Sequence, residues 1–279
     1  MPLCAGVAEW SNTFIEMKRG LEAPDSGSGL LVSSGVRISS PARSFISSFL
    51  INFMINNLLF DIDDTLFPSS EFAALARRNA VRAMIRMGLH ATEDELLEML
   101  GKIIKEKGSN YPRHFDLLLK RMKGRKIESP ARFVAAATGA YHDTKAAIQP
   151  YPDVPRTLLE MKELGYRLYV ATNGISVKQW DKLIRLGIAL YFDEVFVSEE
   201  LGIKKGPAFF RYILKKIKAE PKECVMIGDR EDMDILPAKA VGLYTIRIMR
   251  GKYSTGPSKA DVVLPDFKGL ISSVLNLSR

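Results

Sequence analysis

The pattern of apolar and polar positions divides the chain into parts of different character. From residue 153 onward, short apolar runs alternate with amphipathic segments, which predicts strands and helices in turn. This alternation is typical of an α/β fold, in which a parallel sheet has helices on both faces and so forms three layers. An earlier apolar run, Ile55–Phe60, predicts one more buried strand of the same sheet. The later predicted strands are Arg167–Ala171, Val195–Val197, Cys224–Ile227, Tyr244–Ile246 and Val262–Leu264.

Between the first and second predicted strands, residues 68–150 predict only helices. Their apolar stripes recur at helical spacing, and residues typical of helix starts and stops separate them. Four helices are predicted. The first is Ser70–Met87, and the second follows the capping-box pattern Thr92-Glu93-Asp94-Glu95. The third is opened by Pro112, and the fourth is opened by the Ser129-Pro130 pair and runs towards Ile148. We therefore expect residues 54–67 and 151–279 to form one core domain, with residues 68–150 as a helical insertion.

Residues 1–53 differ from both parts. Their serines lie among glycines and prolines without a sustained period, which indicates a flexible N-terminal extension. The segment also lacks the basic start, apolar block and small-residue cleavage site of a signal peptide. We expect the working protein to begin near Met54 and the preceding residues to be dispensable.

The net charge of +8 is unevenly distributed. Residues 1–53 hold four basic and four acidic residues, whereas residues 68–150 hold 15 Lys/Arg against 9 Asp/Glu. This excess is either a solvated helical surface or a basic lid that attracts anionic substrates. The chain has no basic tract interleaved with aromatic residues, which disfavours nucleic acid as a partner.

Cysteine usage and hydropathy limit the cellular setting. The chain has two cysteines far apart in sequence, Cys4 and Cys224, which fits a reducing cytoplasm rather than a disulfide framework. It contains no apolar run of the roughly 18 residues that a membrane span needs, so no membrane partner is expected.

The strongest chemical signal is the run Asp61-Ile62-Asp63-Asp64-Thr65-Leu66, directly after the first buried strand. Carboxylates held close together repel, and the pKa of at least one of them rises unless a cation joins them. The carboxyl ends of strands are also where α/β sheets bind ligands. This acidic run therefore predicts a metal site with a proton donor.

Three more patterns follow this run in order. Thr172-Asn173-Gly174 ends the second predicted strand, Lys204-Lys205-Gly206-Pro207 follows the third, and Gly228-Asp229 with Asp234 follows the fourth. Taken singly, they are consistent with an ordinary turn, two solvated lysines and an acidic surface turn. In this order they resemble motifs II, III and IV of the haloacid dehalogenase (HAD) superfamily, with Asp61–Thr65 resembling motif I, D-x-D-x-T.

This resemblance covers about residues 54–270, and it implies a fold and an activity. The fold would be a Rossmann-like core with the helical segment inserted as a C1 cap. Because Asp63 is present, where the dehalogenases of the superfamily lack an acid, the phosphatase branch is favoured. Met54–Thr65, Tyr141–Lys145 and Val177–Trp180 are especially similar to archaeal magnesium-dependent phosphatases of this superfamily. The expected activity is hydrolysis of a small phosphorylated metabolite through an aspartyl-phosphate.

The resemblance also implies roles for individual residues. Asp61 would be the nucleophile, and Asp63 would protonate the leaving oxygen and later activate water. Mg²⁺ would be held by the Asp61 and Asp229 carboxylates and the Asp63 backbone carbonyl. The remaining roles are phosphate binding and support of the site, implied for Thr65, Thr172, Asn173, Gly174, Lys205 and Asp234.

Several alternatives stay open at this point. Spacing favours Lys205 over Lys204 as the motif III lysine, and Gly206 stands where that motif usually has proline. A phosphomutase shares the same intermediate, and a basic nucleic-acid-binding or protein-binding module on a catalytically weak core is a different class. A homodimer is neither required nor excluded.

Within motif IV, Glu231 is expected to face solvent, whereas Asp232 is either solvated or braces the loop. Candidates for lining the substrate site are Tyr111, Arg113, His114, His142 and Lys145.

Overall fold

The fold is known here from a computed structural model that describes residues 55–122 and 127–278. The predicted flexible extension, residues 1–53, and the proposed start at Met54 lie outside the described residues. Within the described ranges, no helix is both long and apolar enough to cross a membrane.

A six-stranded sheet organises the molecule, and every neighbouring pair of its strands is parallel. Its spatial order is β3-β2-β1-β4-β5-β6, so chain order reverses direction between β1 and β4. The crevice at such a reversal, outside the carboxyl ends of the strands, is where open α/β sheets bind ligands. The strands are β1 Asn57–Phe60, β2 Arg167–Thr172, β3 Glu194–Val197, β4 Cys224–Gly228, β5 Tyr244–Ile248 and β6 Val262–Leu264.

Ten α-helices are present in the described part of the chain, five of them between β1 and β2. A π-helix, Glu231–Ile235, directly precedes the ninth of them. The α-helices are α1 Ser69–Arg86, α2 Glu93–Lys107, α3 His114–Arg121, α4 Pro130–Ala146, α5 Val154–Glu163, α6 Ser176–Arg185, α7 Ser198–Leu201, α8 Pro207–Ile217, α9 Leu236–Lys239 and α10 Leu270–Leu277.

Alternation along β1 separates two hydrophobic layers. Leu58 and Phe60 belong to one apolar cluster, which includes residues of α5, α6 and α10, whereas Leu59 belongs to another, built largely on α8. Successive side chains of a strand point to opposite faces, so a strand that is apolar throughout must be covered on both sides. The predicted three-layer α/β sheet is therefore confirmed.

The helices α1 to α4 surround a third apolar cluster of their own. Met84, Leu96, Leu118 and Phe133 are among its buried members, one from each helix. A helical segment with its own core, inserted directly after β1, has the build expected of a separate unit.

One helix start in this segment was misplaced, and another was predicted correctly but lacks a side-chain cap. Pro112 lies outside α3, which begins two residues later at His114. Ser129 precedes α4 as expected, but its backbone is left-handed with φ 51° and its side chain makes no capping hydrogen bond. The Thr92 cap is present, because its Oγ1 accepts from the Glu95 N–H at 3.2 Å.

We predict that Phe210→Ala lowers the free energy of unfolding by about 3–5 kcal/mol, the usual cost of truncating a buried phenylalanine. Phe210 is fully buried in the layer under α8, against the ring of Phe209. Urea denaturation followed by circular dichroism measures the loss. The control is Tyr212→Ala on the same helix, where 40% of the residue is exposed. Equal losses in the two variants would contradict the packing described here.

Candidate active site

The sheet brings the acidic run and the fourth motif to the same crevice. Asp61 directly follows β1, and its backbone N–H donates to the Ile227 carbonyl of β4 at 2.9 Å. Asp229 directly follows β4, so strand pairing alone places the two acids at neighbouring strand ends. Both are buried. The crevice between β1 and β4 therefore contains a concentrated negative charge.

A buried lysine partly compensates this charge. Lys205 Nζ donates to Asp61 Oδ1 and, at 2.6 Å, to Asp234 Oδ1, and 2% of its side chain is exposed. Lys204 is exposed instead. Of the two candidate lysines, it is Lys205 whose ammonium lies among the acids.

Gly206, which stands where proline is usual, has an extended backbone with φ 175°. Proline fixes φ near about −65°, so it does not fit this conformation. Pro207 follows as the first residue of α8, where its missing N–H costs nothing. The turn is therefore built with the proline one position later.

A divalent cation would fit the acid cluster. One carboxylate oxygen from each of Asp61, Asp229 and Asp234 lies within 4.8 Å of the other two. Asp229 Oδ1 is buried and has no hydrogen-bond partner among the described residues. Oxygen ligands of this kind suit Mg²⁺, and an unpaired buried carboxylate oxygen is costly without a cation.

The pKa values reflect the same imbalance of charge. Burial, followed by the neighbouring carboxylates of Asp61 and Asp234, raises the pKa of Asp229 to about 9. Burial also raises the pKa of Asp61, although the Lys205 ammonium opposes this. For Lys205, burial works in the other direction, but Asp234 and Asp61 raise its pKa. Because the ammonium donates directly to Asp61, we take that pair as ionised and assign the retained proton of the cluster to Asp229.

The turn after β2 is joined to the lysine by a side-chain amide. Asn173 Oδ1 accepts from the Lys205 backbone N–H at 2.8 Å. Thr172 is buried at the end of β2, and its Oγ1 has only a long contact of 3.4 Å with the Asn173 carbonyl. The Gly174 N–H donates to Ser198 Oγ at 3.0 Å and so is already paired. The Thr172 hydroxyl is the freest donor of this turn.

Asp63 pairs with a lysine that the motif comparison did not identify. Lys182 Nζ, from α6, lies 2.6 and 2.7 Å from the two Asp63 carboxylate oxygens. Asp61 and Asp63 are thus held by different lysines, one buried and one near the surface. The spacing of 119 residues gives no sequence signal for this pair.

Asp64 has a structural role that sequence reasoning missed. Its backbone is left-handed, with φ 58°, and its buried carboxylate accepts from the Ser70 N–H at 2.8 Å and from the Ser69 hydroxyl at 3.1 Å. A Cβ on Gly251 would overlap this carboxylate, so glycine is required there. Asp64 therefore fixes the start of α1 to the strand end that carries Asp61. Neighbouring Thr65 is fully buried, and its Oγ1 has no partner among the described residues.

Arg247 of β5 supports the strand end that carries Asp229. Its buried guanidinium donates to the backbone carbonyls of Asp229 at 3.0 Å, Tyr253 at 3.0 Å, Thr255 at 3.3 Å and Pro257 at 2.8 Å. Planar guanidinium donors are suited to satisfying several acceptors at once. This side chain holds the loop after β5 against the strand end that carries Asp229.

The prediction that Glu231 faces solvent was wrong. Its carboxylate accepts from Ser258 Oγ at 2.7 Å and from the Lys259 N–H at 2.8 Å, and 23% of its side chain is exposed. Asp232 is the exposed one, paired with Arg230 at 2.6 Å. A third partner, Arg247 Nη1 at 3.4 Å, lies on β5. All three partners are distant in sequence, so local spacing does not reveal them.

The candidates for substrate contact lie in the helical segment. The rings of Tyr111 and His114 pack edge to face at 5.4 Å, and His114 Nε2 lies 2.9 Å from the Gly108 carbonyl oxygen. Burial lowers the pKa of His114, and the charges of Arg77 and Lys178 act in the same direction, although the hydrogen bond to the Gly108 carbonyl opposes them.

The other candidates are distributed more widely. His142 packs against Tyr141, and Arg113 is an exposed residue just before α3. Lys145 pairs with Asp181 of α6 at 2.5 Å, and Lys178 of α6 donates to Asn110 at 3.0 Å. Two polar contacts therefore join the helical segment to α6.

We predict that Lys205→Met lowers the free energy of unfolding at neutral pH by about 3–5 kcal/mol, because breaking a buried ion pair leaves uncompensated charge. Thermal and urea unfolding measure this loss. Lys204→Met is the matched control, one residue away and exposed, and should change stability by less than about 0.5 kcal/mol. Similar effects of the two variants would contradict the placement of Lys205 between Asp61 and Asp234.

Comparison with known proteins identifies the family of the chain. The family described as haloacid dehalogenase-like hydrolase matches residues 55–242. A glyceraldehyde 3-phosphate phosphatase of Methanopyrus kandleri is 49% identical over 219 residues, covering 77% of this chain and 93% of the relative. The protein of the same name from Methanocaldococcus jannaschii is 44% identical over 230 residues, covering 81% of this chain and 100% of the relative.

A solved structure agrees with the fold. The crystal structure of a HAD phosphatase from Thermococcus onnurineus superposes with a TM-score of 0.59, covering 79% of this chain and 98% of the other at 24% identity. At that identity the match supports the fold alone. The family expected from the four motifs is confirmed, and the chain belongs to the haloacid dehalogenase-like hydrolases.

Proposed function

We propose that this protein is a Mg²⁺-dependent phosphatase that hydrolyses a small phosphorylated metabolite through an aspartyl-phosphate. The observation that carries the proposal is the buried Asp61 carboxylate, held by Lys205 at the carboxyl end of β1, with Asp229 beside it and Asp63 two residues away. A fixed, partly neutralised carboxylate at a strand end is suited to attack on phosphorus.

The first chemical step forms the intermediate. An Asp61 carboxylate oxygen forms a bond to phosphorus as the bond from phosphorus to the ester oxygen breaks. Asp63 gives its proton to that ester oxygen, which leaves as the alcohol. In the second step Asp63 takes a proton from water, the water oxygen bonds to phosphorus, and Asp61 is released with inorganic phosphate.

The groups around Asp61 are the proposed hydrogen-bond donors to the phosphate oxygens. The Lys205 ammonium and the Thr172 hydroxyl lie at neighbouring strand ends, and Asn173 is tied to Lys205 through its side chain. Donors that are already in place stabilise developing charge at little reorganisation cost. Thr65 stays a candidate for phosphate binding because its buried hydroxyl has no partner in the described part of the chain. The Gly174 N–H would first have to leave Ser198. Asp234 is a supporting residue that holds Lys205.

The acid cluster is the proposed Mg²⁺ site. Asp61, Asp229 and the backbone carbonyl of Asp63 would hold the ion, and the unpartnered Asp229 Oδ1 supports this assignment. When bound, the ion offsets the repulsion between the carboxylates and the phosphate.

The substrate proposal rests on the relatives and on the helical segment. We assign residues 68–150 as a cap domain over a core of residues 54–67 and 151–279. A cap that closes over the crevice favours small substrates. Because the relatives cited above are named glyceraldehyde 3-phosphate phosphatases, a three-carbon sugar phosphate such as glyceraldehyde 3-phosphate is the proposed substrate. Cytoplasmic location is likewise a proposal, based on the sparse use of cysteine.

We predict that Asp61→Asn abolishes phosphate release, with a loss of about a thousandfold or more, because the nucleophile is replaced by an amide. Release of inorganic phosphate from p-nitrophenyl phosphate and from glyceraldehyde 3-phosphate measures the activity. Free phosphate as the product also separates a hydrolase from a phosphomutase.

The control for this variant is Asp232→Asn, whose exposed carboxylate pairs with Arg230 outside the cluster. It should retain the activity of the unaltered protein within about twofold. Full activity of Asp61→Asn would disprove the nucleophile assignment.

We predict that, without metal, stability falls as pH rises from about 4 to about 9, because the folded state keeps a proton on Asp229 that the unfolded chain loses. Mg²⁺ should restore stability most at the upper end of this range, where the proton is most easily displaced. At a hundredfold excess over its Kd, the gain should be about 2.7 kcal/mol. Thermal unfolding in EDTA and in Mg²⁺ from pH 5 to about pH 9 measures both trends.

Asp229→Asn is the variant that isolates this effect. With no ionisable carboxyl at this position, its metal-free stability should depend less on pH, and Mg²⁺ should no longer raise its melting temperature. Asp232→Asn serves again as the control and should keep both responses. A Mg²⁺ shift of equal size in all three proteins would exclude Asp229 as a ligand.

A further inference from the structure

The Asp63 carboxylate pairs with Lys182. Neither the four motifs nor the proposed chemistry gives this lysine a role. Lys182 Nζ lies 2.6 Å from one carboxylate oxygen and 2.7 Å from the other. The same ammonium donates to Gln179 Oε1 at 3.2 Å and lies 5.8 Å from the centre of the Phe67 ring. These contacts hold the charge of Lys182 in one place.

The support for Lys182 leads back to the phosphate-binding turn. Gln179 is buried, and its side-chain amide donates to the Asn173 carbonyl at 2.8 Å. Leu183, the residue after Lys182, is fully buried in the sheet layer under α6. Lys182 therefore emerges from a helix that is fixed at its core face and tied to the turn after β2.

Lys182 and Lys205 differ in how far their side chains are exposed to solvent. Lys205 is 2% exposed and holds the nucleophile, whereas Lys182 is 17% exposed and holds Asp63, whose side chain is 40% exposed. A group that exchanges protons with the departing alcohol and with water must be accessible to both. A side chain this open would sample several rotamers unless another group restrained it.

We propose that Lys182 is a positioning residue for Asp63, a role that rests on the proposed phosphatase function. In the structure both Asp63 oxygens lie on the ammonium. With substrate bound, one oxygen would keep this contact and the other would turn to the ester oxygen. Lys182 does not bind the phosphate itself. Its contribution is to the transfer of the Asp63 proton to the departing oxygen, so its importance depends on how much protonation that oxygen needs.

Two aryl phosphates test this dependence without knowledge of the natural substrate. The p-nitrophenolate of p-nitrophenyl phosphate leaves with little protonation, whereas the phenolate of phenyl phosphate needs more. Lys182→Met should lower kcat/KM for phenyl phosphate by about 10- to 100-fold, part of the usual contribution of general acid catalysis, and for p-nitrophenyl phosphate by about threefold or less. Lys182→Arg, whose guanidinium can hold both carboxylate oxygens, should lose less on phenyl phosphate than Lys182→Met.

A double-mutant cycle with Asp63 separates positioning from packing. In an Asp63→Asn background, Lys182→Met should change kcat/KM for phenyl phosphate by less than about twofold, against the roughly 10- to 100-fold loss with Asp63 in place, because the side chain it positions has lost its acid function. An independent loss in that background would show that Lys182 acts through something other than Asp63, and would overturn the proposal.

The matched control is Arg185→Met, which removes a positive charge from the same helix where it pairs with Asp181. It should leave the ratio of the two kcat/KM values unchanged. Equal losses on both substrates in Lys182→Met, with a raised Ki for inorganic phosphate, would mean that Lys182 binds the phosphate and would overturn the positioning role. Failure of the phosphatase function itself is recognised separately, by activity that survives in Asp61→Asn.

Discussion

The ammonium of Lys205, buried between Asp61 and Asp234, is the interaction on which the site depends. Strand pairing forces Asp61 and Asp229 to neighbouring strand ends, and the π-helix after β4 adds Asp234 to the same space. Without a buried cation, this concentration of carboxylates would favour protonation or local unfolding. With one cation for three acids, the cluster remains short of positive charge, and this deficit is what makes it a site for a divalent ion.

The topology explains why such different parts of the chain meet. Reversal of strand order between β1 and β4 opens a crevice at their carboxyl ends, and the connections after β1, β2 and β4 all reach it. Each connection carries one group of polar residues, and the three groups lie far apart in sequence. The helical segment follows β1 directly, and Asp64 fixes its first turn to the strand end. The acidic run is therefore tied by hydrogen bonds to the first turn of α1.

The sheet and the acidic run were predictable because both leave local signals. Buried parallel strands appear as short apolar runs, and acids directly after such a strand need a special explanation. The partners of these acids were less accessible to sequence reasoning. Lys182 is one of many lysines on amphipathic helices, and its pairing with Asp63 depends on how α6 is rotated against the sheet. Glu231 and Arg247 likewise have partners in a distant loop, and Ser129 shows that a capping pattern does not ensure a capping hydrogen bond.

The contacts of Arg247 determine which positions of the loop after β5 tolerate substitution. In this loop its guanidinium donates to the backbone carbonyls of Tyr253, Thr255 and Pro257 and not to their side chains. Every amino acid has such a carbonyl. As far as this anchor is concerned, those positions are free to change in evolution while the loop keeps its place beside Asp229. The arginine has no such freedom, since lysine offers a single ammonium in place of a planar fork. A substitution at one of these three loop positions would therefore leave the anchoring hydrogen bonds in place, whereas a substitution of Arg247 would remove all of them at once.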